Sequence, residues 1–213
     1  MVKTVLAYGD SNTHGTLPMA NLNVSERIFQ GGAWPDVMAA KLGDKARVIA
    51  EGLPGRTTVL DSPTDGPWMN GLTVLPAILK SHKPVDLLLI MLGTNDLQTR
   101  FGYRARDIQK GIEALIKCAK FTETCADIMI ISPVPVLETG SLVEDFAGAE
   151  ERQKGLASKL ADLAGVYGCG FFDAGTATTV SEVDGVHMDV SGQEALGQAI
   201  ANAVEARLFG ATD

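Results

Sequence analysis

The sequence predicts an α/β fold, a parallel sheet held between helices in three layers. Two observations predict it. Short apolar, β-favouring runs recur along the chain with longer helix-compatible stretches between them. Those runs are continuously apolar rather than alternating, which marks strands covered on both faces, as in parallel sheets joined by right-handed crossovers. At 213 residues the chain fits one domain, residues 1–213, and can bury most of the surface its unfolded form exposes.

Taken in order, the first strand is Thr4–Tyr8, and it breaks off at Gly9-Asp10-Ser11. A helix over Ala33–Leu42 leads to the second strand, Arg47–Ala50, and a helix over Gly71–Ser81 leads to the third, Asp86–Leu92. A helix over Ala105–Thr124 precedes the fourth strand, Asp127–Ile131, and one over Val143–Tyr167 precedes the fifth, Gly170–Phe172. The last helix, Ser191–Leu208, opens with Ser191 as N-cap and Glu194 three residues on, the spacing of a capping box. Three segments fit no period: Thr16–Gly32, Arg56–Asn70 and Pro133–Gly148. Loops that long in a small domain usually carry function or lack order.

Composition narrows the partners. Hydrophobic residues at 46% and charged residues at 21% are ordinary for a globular protein. A net charge of −8, with no clustered Lys or Arg, argues against nucleic acid or an anionic membrane and leaves small neutral substrates open. Cys118, Cys125 and Cys169 are too few and too scattered for a disulfide framework or a zinc site. The longest apolar run, Leu87 to Leu92, is far too short to span a bilayer. The start of the chain passes straight into strand pattern without a signal-like apolar core, so a cytoplasmic location is expected.

Chemistry is expected at the carboxyl edge of the sheet, where ligands bind in open α/β folds. Ser11 stands there, directly after the first strand. A serine hydroxyl is a weak nucleophile and needs a base and donors for the oxyanion it creates. Of three histidines, His82 in Ser-His-Lys-Pro is explained as the cationic end of a helix. His14 is so local to Ser11 that it fits a pocket wall or packing better than a base. His187 differs, because Asp184-Gly185-Val186-His187 is a turn that can fold the carboxylate onto Nδ1 and leave Nε2 for a nucleophile. Alone, the same turn would fit a surface histidine beside an Asx-turn; with Ser11 it fits a base. Asn95, in Gly93-Thr94-Asn95-Asp96 after the third strand, offers a side-chain amide to developing negative charge, or serves as an N-cap. Gly55, in the turn after the second strand, can bring a backbone N–H close to a carbonyl oxygen.

Gly9-Asp10-Ser11, Gly55, Gly93-Thr94-Asn95-Asp96 and Asp184-Gly185-Val186-His187 resemble the four ordered blocks of the SGNH (GDSL-type) hydrolases. Gly52-Leu53-Pro54-Gly55-Arg56-Thr57-Thr58, Pro63-Thr64-Asp65, Asn70-Gly71 and Ile90–Asp96 further resemble the bacterial arylesterase and acetyl-transferring branch, which includes carbohydrate acetylesterases. The resemblance implies a flavodoxin-like sheet of about five parallel strands in the order 2-1-3-4-5, an acyl-serine intermediate, no metal and no cofactor. Carried over by position, Ser11 is nucleophile, His187 base and Asp184 its orienter. The oxyanion hole comes from the Ser11 and Gly55 amides and the Asn95 side chain. Asp10, Asn12, His14, Arg56, Trp68, Thr94, Asp96 and Val186, which flank these groups, are expected to line the substrate site. Trp34 and Trp68 serve equally well as pocket walls or core. Two positions depart from the family pattern: Ala50 stands where an asparagine often opens the second block, and Asn12-Thr13-His14 replaces the commoner Leu-Ser.

The activity implied is hydrolysis of small acetyl-type esters of aryl or carbohydrate alcohols, with transfer to an alcohol or peroxide in place of water. Thioesterase or lysophospholipase activity would use the same groups, and a binding module that lost its chemistry would keep the fold. A homo-oligomer, up to an octamer, is expected by resemblance alone.

Overall fold

The computed structural model describes residues 1–21, 25–28 and 31–210. Five strands, β1 (Lys3–Gly9), β2 (Ala46–Gly52), β3 (Val85–Met91), β4 (Cys125–Ser132) and β5 (Gly170–Asp173), form one sheet in the order β2-β1-β3-β4-β5. Every pairing is parallel. Because side chains alternate across a strand, the same apolar runs feed two cores. Leu6, Tyr8, Leu88 and Ile90 face one side, where they pack with α3 (Gly71–His82), α4 (Ala105–Thr122) and α6 (Leu156–Tyr167). Val5, Ala7, Leu87, Leu89 and Met91 face the other, against α2 (Trp34–Leu42) and α7 (Val190–Phe209). Fully burying each such side chain is worth about 1.5–3 kcal/mol, so both faces must be apolar for the layers to hold.

Register sets up the site. Gly9 pairs with Gly52 on one side and with Met91 on the other. The turns leaving β1, β2 and β3 therefore start level with one another at one sheet edge. The first turn is a single four-residue helix, α1 (Ser11–His14), capped by the Asp10 carboxylate, which accepts from the Asn12 amide at 3.0 Å.

Several helix boundaries differ from expectation. The stretch Val143–Tyr167 is not one helix but a short α5 (Ala149–Arg152) and the longer α6, because Gly148 and Gly155 adopt φ of +76° and +74° and break the helix twice. The helix over Ala105–Thr124 stops at Thr122, closed by Glu123 in the left-handed region. In the last helix Asp189, not Ser191, is the N-cap: its Oδ1 accepts from the Gly192 amide and the Ser191 hydroxyl, both at 2.7 Å. The Ser191–Glu194 capping box expected from spacing does not form, since Ser191 already lies inside the helix.

Of the long segments, Arg56–Asn70 is well tied, with Thr57 bridging to Asn70 and Ser62 to Gly66. The Asn70 side chain caps α3 and donates to Val59 O and Asp61 Oδ1. In Pro133–Gly148, the Gln153 side chain holds both the N–H and the C=O of Val136. Part of the Thr16–Gly32 segment lies outside the described residues; within the rest, Thr16 bridges to Arg27.

Candidate active site

The turn after β1 points the Ser11 hydroxyl at the His187 ring, with Oγ 3.0 Å from Nε2. Nδ1 of the same ring lies 2.6 Å from Asp184 Oδ2. The three side chains come from opposite ends of the chain and are all nearly inaccessible to solvent. What carries His187 there is the turn preceding α7. Gly185 adopts φ of +75°, and a Cβ on it would sit 2.1 Å from Leu137 O, so the turn requires glycine.

Asp184 is the hub of that turn. Its Oδ1 accepts from the Val186 and His187 amides, both at 2.9 Å, and its Oδ2 accepts from the Met19 amide at 2.8 Å as well as from the ring. Burial pushes the Asp184 carboxyl up, but the hydrogen bonds from the His187 ring and from the His187 and Met19 amides outweigh it, and its pKa lies below the usual carboxylate value. An ionised Asp184 holds the proton on Nδ1 and leaves the Nε2 lone pair for the serine.

Asn12 locks the two halves together. Its Nδ2 donates to Val186 O at 3.1 Å and its Oδ1 accepts from the Met188 amide at 3.3 Å, on either side of His187. Its own carbonyl accepts from the Gln193 side chain at 3.0 Å. The polar residue at this position thus fastens the serine turn to the histidine turn.

Donors line the same cavity as Ser11 and His187. The amides of Ser11 and Gly55 have no acceptor among the described residues, and Gly55 holds φ of +82°. The Asn95 side chain donates from Nδ2 to Arg56 O at 3.1 Å and accepts at Oδ1 from Gln98 Nε2 at 2.9 Å. One Nδ2 hydrogen is left for a ligand. Ser11, Gly55, Asn95, Val186 and His187 all line one cavity of about 360 Å³, within the range of small-ligand sites. Its other walls are Thr16, Met19, Pro54, Leu142 and Phe146, with Ser25, Asp65, Gln98, Arg100 and Asp145 completing it.

The other flanking residues do not line it. Asp10 is buried beneath the serine turn, and burial pushes its carboxyl up to about 6. Arg56 is buried too, its Nη1 donating to Gly9 O and Glu51 O and its guanidinium stacked 4.3 Å from the Tyr8 ring centre. Asp96, also raised by burial to about 6, takes the Thr58 amide and hydroxyl and so ties the Arg56–Asn70 segment to the turn after β3. Thr94 is buried. His14 ends α1 with Nδ1 3.3 Å from the Thr16 hydroxyl. Of the two tryptophans, Trp34 belongs to the core between α2 and α7, and Trp68 is half-exposed outside the cavity, its ring against Gly66. His82 pairs with Glu51 at 2.8 Å. Nothing local in the sequence marks Met19, Gln98 or Arg100 as members of the site; only the Asn95-to-Gln98 spacing of three, one turn of a helix, was a usable sign for one of them.

Residues 7–195 match the family model of the GDSL-like lipase/acylhydrolases. The chain belongs to this family. Among solved structures it is similar to the M. smegmatis aryl esterase, at 35% identity with 97% of this chain and 100% of that one covered and a TM-score of 0.91. It is also similar to a carbohydrate acetylesterase family member from Sinorhizobium meliloti, at 39% identity, 97% and 99% coverage and a TM-score of 0.89. A second S. meliloti carbohydrate acetylesterase, Est24, matches at 33% identity, 97% and 100% coverage and a TM-score of 0.90. Among curated proteins none matches this chain. A GDSL-like acylhydrolase with such neighbours is a carboxylic ester hydrolase. Among the described residues no helix is long and apolar enough to cross a membrane, and no three His, Cys, Asp or Glu side chains cluster to hold a metal ion.

Proposed function

We propose that this GDSL-type hydrolase cleaves short, acetyl-type esters of aryl or carbohydrate alcohols through an acyl-serine intermediate. The observation that carries the reading is the continuous line from Asp184 Oδ2 through His187 to Ser11 Oγ, with steps of 2.6 and 3.0 Å, opening into a cavity that holds unused donors.

In the first half-reaction Ser11 Oγ bonds to the ester carbonyl carbon while its proton passes to His187 Nε2. The carbonyl oxygen becomes an oxyanion facing the Ser11 and Gly55 amides and the Asn95 Nδ2. Collapse breaks the bond to the alcohol oxygen, which takes the proton from His187 and leaves. In the second half, water gives its proton to His187 and bonds to the acyl carbon; breaking the Ser11 ester then returns that proton to Oγ. An alcohol or peroxide in place of water makes an ester or a peracid. Losing one oxyanion donor in such a site costs about 10²–10³ in kcat.

The apolar walls Met19, Pro54, Leu142, Phe146 and Val186 suit an acetyl group and an aryl ring, and the polar residues Asp65, Gln98, Arg100 and Asp145 suit a hydroxylated alcohol. The neighbours' activities on aryl and carbohydrate esters support the same class. Ser11→Ala is expected to abolish p-nitrophenyl acetate hydrolysis, and retained turnover in the pure variant would overturn the assignment. Comparing acetate with octanoate esters tests the acyl group: a strong octanoate preference would move the activity to thioesterase or lysophospholipase chemistry.

A further inference from the structure

We propose that Gln98 and Arg100 are positioning residues for Asn95, forming a relay of two amides that aims and polarises the oxyanion donor; the proposal rests on the esterase reading above. The relay starts at the surface and ends at the reacting centre. Asp65 Oδ2 accepts from Arg100 Nη1 at 3.1 Å, and Arg100 Nε donates to Gln98 Oε1 at 2.7 Å. Gln98 Nε2 donates to Asn95 Oδ1 at 2.9 Å, and Asn95 Nδ2 donates to Arg56 O at 3.1 Å.

The sense of this chain is fixed at both ends. A guanidinium only donates and a main-chain carbonyl only accepts, so the two amides between them have one consistent orientation. Gln98 must turn its oxygen to Arg100 and its NH₂ to Asn95. Asn95 must then turn its oxygen to Gln98 and its NH₂ toward Arg56 O and the cavity. Without Gln98, Arg56 O alone holds Asn95 against the flipped amide, which would present a carbonyl oxygen to the oxyanion.

The relay also carries charge. Arg100 pulls on the Gln98 carbonyl, which makes the Gln98 NH₂ a stronger donor, and Gln98 does the same to Asn95. Arg100 is itself well held: its guanidinium stacks 4.7 Å from the Phe101 ring centre, and Asp65 takes a 2.5 Å hydrogen bond from the Ser62 hydroxyl. That hydrogen bond and Arg100 keep the Asp65 carboxyl below the usual carboxylate range, so the pair is ionised at neutral pH.

The alternative role for Arg100, which lines the cavity, is direct contact with the substrate alcohol. A double-mutant cycle on p-nitrophenyl acetate separates the two. Gln98→Met is expected to lower kcat about tenfold with KM changed less than about twofold, because an aimed donor acts on the transition state. Arg100→Met is expected to lower kcat about fivefold alone and to have no further effect in the Gln98→Met background. Gln98→Lys, which restores a donor to Asn95 Oδ1 but offers Arg100 no acceptor, is expected to keep kcat within about threefold of wild type and to be indifferent to Arg100→Met. Losses that multiply in the double variant, losses confined to KM, or an unchanged kcat in Gln98→Met would each overturn the relay. Ser11→Ala run alongside keeps the two readings apart: an inactive Ser11→Ala with a full-rate Gln98→Met removes the relay alone, whereas an active Ser11→Ala removes both.

Discussion

Replacing Asp184 by asparagine changes one atom at a buried point where four hydrogen bonds converge. The carboxylate takes four N–H donors, two on each oxygen. An amide has one oxygen, so its NH₂ must face two donors whichever way it turns. Facing the Val186 and His187 amides, it loses two charge-assisted hydrogen bonds at about 1.5–3 kcal/mol each; facing the Met19 amide and the ring, whose proton can move to the other nitrogen, it loses only the Met19 one. For a chain of this length a loss of about 1.5–6 kcal/mol lowers the melting temperature by on the order of 3–20 °C. Activity falls further. If the NH₂ takes the Oδ2 place, it donates to Nδ1 and forces the ring proton onto Nε2, where it cannot accept from Ser11; a wrong tautomer of this kind costs about 10⁴ in kcat. The assays are thermal melting and p-nitrophenyl acetate turnover on Asp184→Asn. The pH dependence has a defined sign. The folded pKa of Asp184 is depressed, so its stabilisation is present above the unfolded value, about 3.9, and is lost as pH falls through the folded one. The melting difference between wild type and variant should therefore shrink below pH of about 4. A variant that melts with wild type at pH 7 and keeps kcat within about tenfold would refute this account of the turn.

Asp96 works in the opposite direction. Its folded pKa is raised to about 6 by burial, so the folded protein holds more protons than the unfolded chain between pH of about 4 and 6, and stability rises as pH falls through that window. Asp96→Asn should make that limb of the melting profile shallower, with Asp10 keeping its own share of the slope, and an unchanged slope would show that Asp96 does not titrate there. Asn12→Ala leaves Val186 O and the Met188 amide buried without their partner, at about 1–3 kcal/mol in stability. Turnover should fall with it as the His187 turn loosens against Ser11, and an unchanged kcat would mean that Asn12 only fills space. Light scattering tests assembly, which is expected to give a multiple of 22.5 kDa; a single-chain mass would contradict it.

The sheet was readable because its strands are buried on both faces. Val85–Met91 is almost continuously apolar, and a run of that kind fits few other places. The groups proposed to react were readable because each sits just after a strand or just ahead of a helix, in short blocks with glycine: Ser11 after Gly9 at the end of β1, His187 after Gly185 ahead of α7. Residues whose partners lie far along the chain were misplaced. Arg56 looks like a substrate ligand next to Gly55, yet it is held by Gly9 O, Glu51 O and the Tyr8 ring, contacts that no local pattern announces. Asn12 reads as a polar pocket wall, and its staple to Val186 and Met188 spans more than 170 residues of sequence. The break in Val143–Tyr167 was within reach, since Gly148 and Gly155 both interrupt it, but glycine in a helical pattern is tolerated often enough to hide the ends.

The acyl-serine claim is tested most directly by labelling the pure protein with a serine-directed fluorophosphonate and locating the adduct by peptide mass spectrometry. The account predicts one adduct, on Ser11, that forms as hydrolysis disappears and does not form in Ser11→Ala. An adduct on another residue, or full ester hydrolysis with Ser11 labelled, would contradict it.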